Sequence, residues 1–196
     1  MTQAYEGMSA PDQTDIDKVV KQAISIFVKN GIKYDICGGK AVQHYGYPRY
    51  TQDVDFVVSD FKKAKKELTN SGFTFTENDY RVIQEPLGVK VDLIPAGKKM
   101  EWDRYMTFPS PTNSSPTPTY ISIEDLISLK LDAGRPKDLG DVGELIKIND
   151  LPLDLTVFPA LKNAYQEFWR SLQLGESKEN KLKAFCKLIR QDRRSV

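Results

Sequence analysis

The spacing of apolar residues predicts an amphipathic helix near the start of the chain, over residues 15–30. Apolar residues recur there every three or four positions, which places them on one helix face: Ile16, Val19, Val20, Ala23, Ile24 and Phe27. An Asn-Gly pair at residues 30–31 supplies a stop signal. The run at residues 34–37 then predicts a short strand, which leads into two glycines and a helical turn or more over residues 40–45.

In the next segment, residues 53–58, polar and apolar residues alternate with a period of two. Its apolar positions are Val54, Phe56 and Val58. Asp53 and Asp55 occupy the alternate positions. Alternation of this kind predicts a strand with one buried face, and the aspartates lie on the opposite face. A helix over residues 60–70 follows, and three short strands complete the first half of the chain: 73–75, 81–84 and 89–94.

The second half of the chain is predicted to be helical. Residues 108–119 are rich in Pro, Ser and Thr and too poor in apolar residues to pack, which indicates a linker or loop. Apolar spacing then predicts four helices: 122–133, 139–148, 158–174 and 176–191. The predicted regions are a core over residues 15–107, the linker over 108–119 and a helical region over 120–191. The predicted class is α/β, or α+β: a short mixed sheet flanked by helices, with the helical half closing one side of a cleft.

Composition excludes several classes of protein. The 196 residues include 28 Lys and Arg against 27 Asp and Glu, a net charge of +1, which gives no argument for wholesale nucleic-acid binding. Cys37 and Cys186 have neither disulfide-framework nor zinc-ligand spacing. No apolar run is long enough for a bilayer, and residues 1–14 lack the apolar core of a signal peptide. We therefore expect a cytoplasmic protein without membrane contact.

Two aspartates on one strand face are the first candidate for chemistry. Aspartate is depleted in strands, so Asp53 and Asp55 require a reason. Residues at i and i+2 project side by side, and their carboxylates suit one or two hard cations that also hold nucleotide phosphates. The sequence therefore predicts a site for Mg²⁺, or Mn²⁺, on these two residues. The alternative interpretation is an ordinary solvated strand face.

A third carboxylate and a pair of glycines extend this candidate site. Asp92 lies between Val91 and Leu93 and points away from the core that they define, so it is predicted to be a metal ligand or a base. Gly38 and Gly39 follow a strand, where glycine lets backbone N–H groups and the next helix's N-terminus face a triphosphate. The alternatives are an exposed edge-strand aspartate and a tight turn without a ligand.

The segment between the glycines and the two aspartates carries a longer pattern. The glycines precede Lys40, and Arg-x-Thr-x-Asp-hydrophobic-Asp then begins at Arg49 and includes Thr51. This segment resembles the signature of the DNA polymerase beta nucleotidyltransferase superfamily, in its minimal bacterial branch. The resemblance implies that Arg49 neutralises a phosphate and that Thr51 hydrogen-bonds an aspartate or a phosphate, unless either simply caps the strand. Lys40 stands where many members have serine, so a point charge replaces a hydroxyl contact to a nucleotide phosphate.

A second motif lies at the start of the helical half. Lys130, on the predicted helix 122–133, precedes an Arg-x-x-Asp-x-x-Asp segment that begins at Arg135. It resembles a motif of the abortive-infection toxin nucleotidyltransferases and their relatives. Lys130 lies in the apolar stripe, and it is predicted to reach nucleotide phosphates in a binding and catalytic role, or else to extend its ammonium to solvent. Asp138 and Asp141 are predicted to orient Lys130 or Arg135, unless Asp138 caps its helix.

The leading hypothesis is a nucleotidyltransferase with a core of that superfamily's fold, which moves a nucleoside monophosphate from a nucleoside triphosphate to an acceptor hydroxyl. The acceptor stays open: RNA, a protein side chain, or a small molecule such as an aminoglycoside or a lincosamide. A partner protein is expected if the chain belongs to a toxin–antitoxin pair. The second hypothesis is a catalytically silent module of this type that binds nucleotide, nucleic acid or a partner protein. The third is a structural α/β domain whose carboxylates have no role.

Overall fold

The computed structural model describes residues 12–75, 81–84, 87–99 and 104–174. Helices and strands alternate within these residues in the following order: α1 (Gln13–Lys29), β1 (Tyr34–Cys37), α2 (Gly38–His44), β2 (Asp53–Val58), α3 (Phe61–Asn70), β3 (Phe73–Phe75), β4 (Arg81–Gln84), β5 (Val89–Pro95), α4 (Ile123–Ala133), α5 (Pro136–Ile148), a 3-10 helix (Pro159–Leu161) and α6 (Lys162–Gln173). This combination of helices and strands confirms the predicted mixed α/β class.

The five strands of the described residues form one mixed sheet in the order β1-β2-β5-β4-β3. β2 and β5 pair in parallel, whereas the other three pairs are antiparallel. A parallel pair needs a crossover connection, and the chain between β2 and β5 contains α3, β3 and β4. The short mixed sheet that the sequence predicted is therefore present.

One face of the sheet forms the core of the first unit. Val54, Phe56 and Val58 are fully buried on β2, as are Val91 and Leu93 on β5. They belong to one apolar cluster with the buried residues of α1 and α3. All six apolar positions predicted for the first helix are buried on α1. The aspartates of β2 and β5 alternate with these apolar residues and therefore lie on the other face, as predicted.

The chain divides into two compact units, each assembled from separate segments. Among the described residues, the first unit comprises 12–40, 50–96 and 110–120, and it contains the sheet, α1 and α3. The second comprises 41–49, 97–109 and 121–174, and it contains α4, α5 and α6. The stretch predicted as a linker or loop, residues 108–119, thus contributes to both units.

Backbone hydrogen bonds attach the end of this stretch to β1. The amide of Tyr34 donates to the carbonyl of Asn113 at 3.1 Å, and the amide of Ile36 donates to that of Thr119 at 2.8 Å. β1 is an edge strand, so these bonds satisfy backbone groups that the sheet leaves open. The stretch packs through its backbone, which its composition does not reveal.

The second unit is helical, as the apolar spacing predicted. Ser122 caps α4, and Gly134 ends that helix in a left-handed conformation with φ of 62°. α5 begins at Pro136 rather than at residue 139, because proline fits the first turn of a helix. The predicted helix 158–174 is a 3-10 turn followed by α6, and the predicted helix 176–191 lies outside the described residues.

A helix needs about 20 predominantly apolar residues to span a bilayer. None of the described helices is sufficiently long and apolar to cross a membrane.

The hydroxyl of Tyr34 provides a test of how residues 110–120 contribute to stability. It donates to the carbonyls of Ser115 at 2.7 Å and Thr117 at 3.1 Å, while its ring packs against Phe27 and Phe56. Tyr34→Phe keeps the ring but leaves both carbonyls without this donor, so we expect the free energy of unfolding to fall by about 1–2 kcal/mol.

Urea-induced unfolding measures this change. Tyr47→Phe is the control, because the described residues offer no hydrogen bond to the hydroxyl of this half-buried tyrosine. Equal stability of the Tyr34→Phe variant and the wild type would contradict the assigned role of the hydroxyl.

Candidate functional site

A row of polar residues crosses the face of the sheet opposite the core. In strand register, Asp55 lies opposite Cys37 on one side and Asp92 on the other, and Asp92 lies opposite Arg81. Paired residues of neighbouring strands project from the same face, so the side chains of this row share one surface. Asp53, two residues before Asp55, projects from that surface as well. The sheet therefore brings the three predicted carboxylates to one face.

Thr51 orients the first of these carboxylates. Its hydroxyl donates to Asp53 Oδ1 at 2.9 Å, and the residue is only 4% exposed. The Nε2 of Gln13, on α1, donates to the Thr51 carbonyl at 3.0 Å and fixes the backbone at this point. The hydrogen bond predicted between Thr51 and an aspartate is therefore present.

Gly38 provides the space for the second carboxylate. Its φ of +60° is a left-handed conformation, and a Cβ added at this position would overlap the carboxyl group of Asp55. Any residue other than glycine would have to displace Asp55. Gly39 follows as a buried residue of α2, which contains only seven residues. The role of Gly38 that the structure shows is therefore to let the Asp55 carboxylate approach the backbone closely.

Arg81 binds the third carboxylate with both of its oxygens. Nε donates to Asp92 Oδ1 and Nη2 donates to Asp92 Oδ2, each at 2.5 Å. The side chains of Arg81 and Asp92 are 29% and 20% exposed. These hydrogen bonds raise the pKa of Arg81, against a smaller opposing effect of burial, and the charges of Asp92, Asp53 and Asp55 raise it further. Arg81 therefore binds Asp92 directly, while Asp53 and Asp55 add longer-range electrostatic attraction.

The sequence interpretation missed Arg81, although a signal was available. The predicted strands 81–84 and 89–94 are separated by four residues, as in a hairpin. Counting outward from Gln84 and Val89 pairs position 81 with position 92, which is the register of the structure. Treating the two strands as a hairpin would have placed an arginine beside the third aspartate.

The side chain of Lys40 forms an ion pair with an aspartate of α1. Its Nζ donates to Asp17 Oδ1 on α1 at 2.7 Å, and its side chain is 12% exposed. The predicted contact between Lys40 and a nucleotide phosphate therefore requires this ion pair to open or to share its proton donor.

The carboxylate face matches the donor set of a hard cation at two of its three aspartates. Asp53 and Asp55 supply oxygen ligands from alternate positions of one strand, and Mg²⁺ is commonly held by one or two carboxylates together with substrate phosphates. Asp92 differs, because Arg81 already binds both of its oxygens. Within the described ranges, no group of three or more His, Cys, Asp or Glu side chains is arranged to hold a metal ion.

The second predicted motif forms a buried charge cluster within the second unit. Lys130 is 5% exposed, and its Nζ donates to Asp138 Oδ1 at 3.2 Å and to Asp141 Oδ2 at 2.6 Å. The alternative in which the ammonium reaches solvent is therefore wrong, because two carboxylates beneath the surface attract it. Arg135 Nε donates to Asp138 Oδ2 at 2.5 Å, so Asp138 contacts both cations and Asp141 contacts Lys130.

Asp138 has a structural role in this cluster that does not involve capping. The N-cap of α5 is Arg135 rather than Asp138, and the Arg135 side chain makes no capping hydrogen bond. Burial by itself would raise the pKa of Asp138. The hydrogen bond from Arg135 and the charge of Lys130 outweigh burial and hold this pKa below its ordinary value.

Arg49 approaches the same cluster. Its Nε lies 3.7 Å from Asp141 Oδ1, and this buried atom makes no hydrogen bond within the described part of the chain. A buried donor of this kind is costly unless a partner reaches it. The predicted role of Arg49 as a phosphate ligand stays a prediction.

The structure thus divides the predicted site residues between the two units. The three aspartates lie on the sheet of the first unit, with Gly38 beside Asp55 and Thr51 bonded to Asp53, and Lys40 lies beside α1. Arg49 and Lys130 belong to the second unit, where Asp141 connects them.

Comparison with known proteins adds no assignment to this geometry. Searches against protein-family models and against curated proteins gave no match.

Alanine at position 38 tests the clearance between the glycine and Asp55. Gly31 has nearly the same φ, +63°, but an added Cβ there would meet nothing within 4 Å. We expect Gly31→Ala to cost about 1–2 kcal/mol through backbone strain alone. Gly38→Ala should cost about 1–3 kcal/mol more, because the new methyl group displaces the carboxylate.

Denaturant unfolding of the two variants gives this difference. Adding Asp55→Ala to Gly38→Ala removes the overlapping carboxyl group and should recover most of the extra cost. Equal losses for Gly31→Ala and Gly38→Ala would show that the contact with Asp55 has no energetic role.

Acid titration tests the cluster around Asp138. Because its pKa is lower in the folded state, Asp138 stabilises the protein above the pKa of the unfolded chain, about 3.9. This contribution is lost as the pH falls through the lower folded-state value. Asp138→Asn should reduce the free energy of unfolding by about 3–5 kcal/mol at pH 7, since Lys130 and Arg135 lose a carboxylate. Below pH 4 the difference from the wild type should shrink.

Urea unfolding between pH 7 and pH 3 follows both effects. The matched control is Glu144→Gln on the same helix, which removes a partly exposed partner of Lys147 and should change stability by less than about 1 kcal/mol. A difference for Asp138→Asn that is the same at every pH would refute the titration argument.

Proposed function

We propose that the chain is a metal-dependent nucleotidyltransferase. It transfers a nucleoside monophosphate from a nucleoside triphosphate to an acceptor hydroxyl and releases pyrophosphate. The observation that carries this proposal is the arrangement of Asp53 and Asp55 beside Gly38, on a sheet face opposite the apolar core. The resemblance of this same segment to the nucleotidyltransferase signature supports it, and so does the five-stranded mixed sheet.

The two aspartates of β2 carry the main role. Asp53 and Asp55 would hold Mg²⁺ or Mn²⁺ together with the triphosphate, and the cation would stabilise negative charge on the reacting phosphate. Thr51 keeps the Asp53 carboxylate in one orientation through its hydrogen bond. Gly38 lets Asp55 lie against the backbone at the start of α2. These contacts pre-organise the carboxylates before the nucleotide binds.

Transfer requires the acceptor oxygen to attack the α-phosphorus as the bond to pyrophosphate breaks. The acceptor hydroxyl loses its proton to solvent water in this step. Asp92 was predicted to accept it or to bind metal, but both of its oxygens already accept hydrogen bonds from Arg81. Asp53 and Asp55 are therefore better candidates for metal ligands than Asp92 is.

The cationic residues of the two sequence motifs, Lys40, Arg49 and Lys130, have secondary roles in this proposal. Lys40 and Lys130 both bind aspartates, so a phosphate would compete with a carboxylate for each ammonium. Arg49 is the better candidate for phosphate contact, because its Nε lies 3.7 Å from the nearest carboxylate oxygen and makes no hydrogen bond among the described residues. The acceptor is RNA, a protein or a small molecule, and the chain binds a partner protein if it belongs to a toxin–antitoxin pair.

A second candidate function is a silent module that binds nucleotide, nucleic acid or a partner protein without turnover. The ion pair between Arg81 and Asp92 favours it, because a third carboxylate held by arginine is not available as a base. Pyrophosphate release separates the two functions. With labelled triphosphates and a panel of acceptors, the enzyme releases pyrophosphate, whereas the module binds nucleotide and releases none.

Thermal unfolding with each of the four ribonucleoside triphosphates tests the proposed site without knowledge of the acceptor. A ligand that binds only the folded state stabilises it, so a nucleotide at tenfold its Kd should raise Tm by about 3–6 °C in the presence of Mg²⁺. The shift should require Mg²⁺ and should disappear in the Asp53→Asn, Asp55→Asn double variant.

Asp154→Asn is the control, because it removes an exposed carboxylate from the second unit. It should keep the full shift. If none of the four nucleotides changes Tm of the wild type, the proposed nucleotide site is wrong.

A further inference from the structure

Arg81 occupies a position that the backbone itself determines. β4 and β5 pair so that Arg81 lies opposite Asp92, and β5 and β2 pair so that Asp92 lies opposite Asp55. The three side chains therefore stand in a row across three hydrogen-bonded strands, on the same face. An arginine in such a row is held beside the carboxylates by the sheet and does not depend on a flexible loop.

The contact between Arg81 and Asp92 has the geometry of a strong ion pair. Two parallel N–H donors meet two carboxylate oxygens, which is the bidentate arrangement that arginine favours. Both side chains are largely shielded from solvent, at 29% and 20% exposure, so water screens the pair less than it would on the surface. Binding of a metal by Asp92 would require this pair to open.

The balance of charges on the aspartate face of the sheet indicates a function for Arg81. Three aspartates bring three negative charges to one face. Arg81 adds one positive charge next to Asp92, and the exposed Lys90, which lies opposite Asp53 in register, adds another. A single divalent cation at Asp53 and Asp55 would neutralise the other two. A second divalent ion would have to displace a guanidinium that already neutralises Asp92.

We propose that the site takes one divalent ion, at Asp53 and Asp55, and that Arg81, positioned by Asp92, supplies the charge of a second cation. This inference rests on the proposed function. It assigns Asp92 as a positioning residue and removes it from the metal ligands. Arg81 presents a fixed positive charge to the side of the site where phosphate or acceptor oxygens become negative.

Binding of Mn²⁺ alone tests this assignment without any measurement of activity. Electron paramagnetic resonance of free Mn²⁺ during a titration gives the number of bound ions and their Kd. The wild type should bind one ion, which the Asp53→Asn, Asp55→Asn double variant should lose. Arg81→Gln frees the Asp92 carboxylate and should add a second bound ion.

Two further variants separate the ion pair from general electrostatics. Lys90→Gln removes another positive charge from an exposed residue of the same sheet face and should still bind one ion. The double variant Arg81→Gln, Asp92→Asn removes both members of the pair, leaves the net charge unchanged and should bind one ion with the wild-type Kd. Circular dichroism of each variant checks that it is folded.

Each outcome decides the proposal. Two ions bound to the wild type, or a Kd at least about tenfold weaker in the Arg81→Gln, Asp92→Asn variant, would make Asp92 a metal ligand and overturn the inference while leaving the nucleotidyltransferase proposal intact. One ion bound to Arg81→Gln would overturn it as well. If the wild type bound no Mn²⁺, both the metal site of the proposed function and this inference would be wrong.

Discussion

The register between β2 and β5 is the constraint on which the first unit depends. Asp55 lies opposite Asp92 in this parallel pair, while the next residues, Phe56 and Leu93, lie opposite each other in the core. A slip of one residue would place carboxylates in the apolar layer and phenylalanine outside it. Burial of the apolar face therefore holds like charges close together, although they repel one another. The same burial that stabilises the fold assembles the candidate site.

Both units neutralise their carboxylates with cations that neighbouring elements hold in place. On the sheet, Arg81 binds Asp92, and in the helical unit Lys130 lies between Asp138 and Asp141. Such pairs contribute little net stability when partly or fully buried, but removal of one partner leaves an uncompensated charge and is costly. The cations are therefore part of the structure as well as candidates for ligand contact. This limits which of them a phosphate can recruit.

Much of the fold could be predicted because it follows from local periodicity. The six apolar positions of α1 and the alternation on β2 specify which face is buried without reference to any other element. Packing of residues 110–120 could not be predicted in this way. Those residues contribute backbone carbonyls to the open edge of β1, and the hydrogen-bonding capacity of the backbone is the same for every sequence apart from proline.

The candidate site, like the fold, has features that the sequence specifies and features that it does not specify. The sequence alone determined that Asp53, Asp55 and Asp92 are polar residues in strands and that glycine stands at position 38. Only the tertiary structure decided that Arg81 binds Asp92 and that Asp55 requires a glycine beside it. The physical reason is that a residue's type and spacing specify its face of a strand, whereas the partner across the sheet depends on register and strand order, which involve residues distant in sequence.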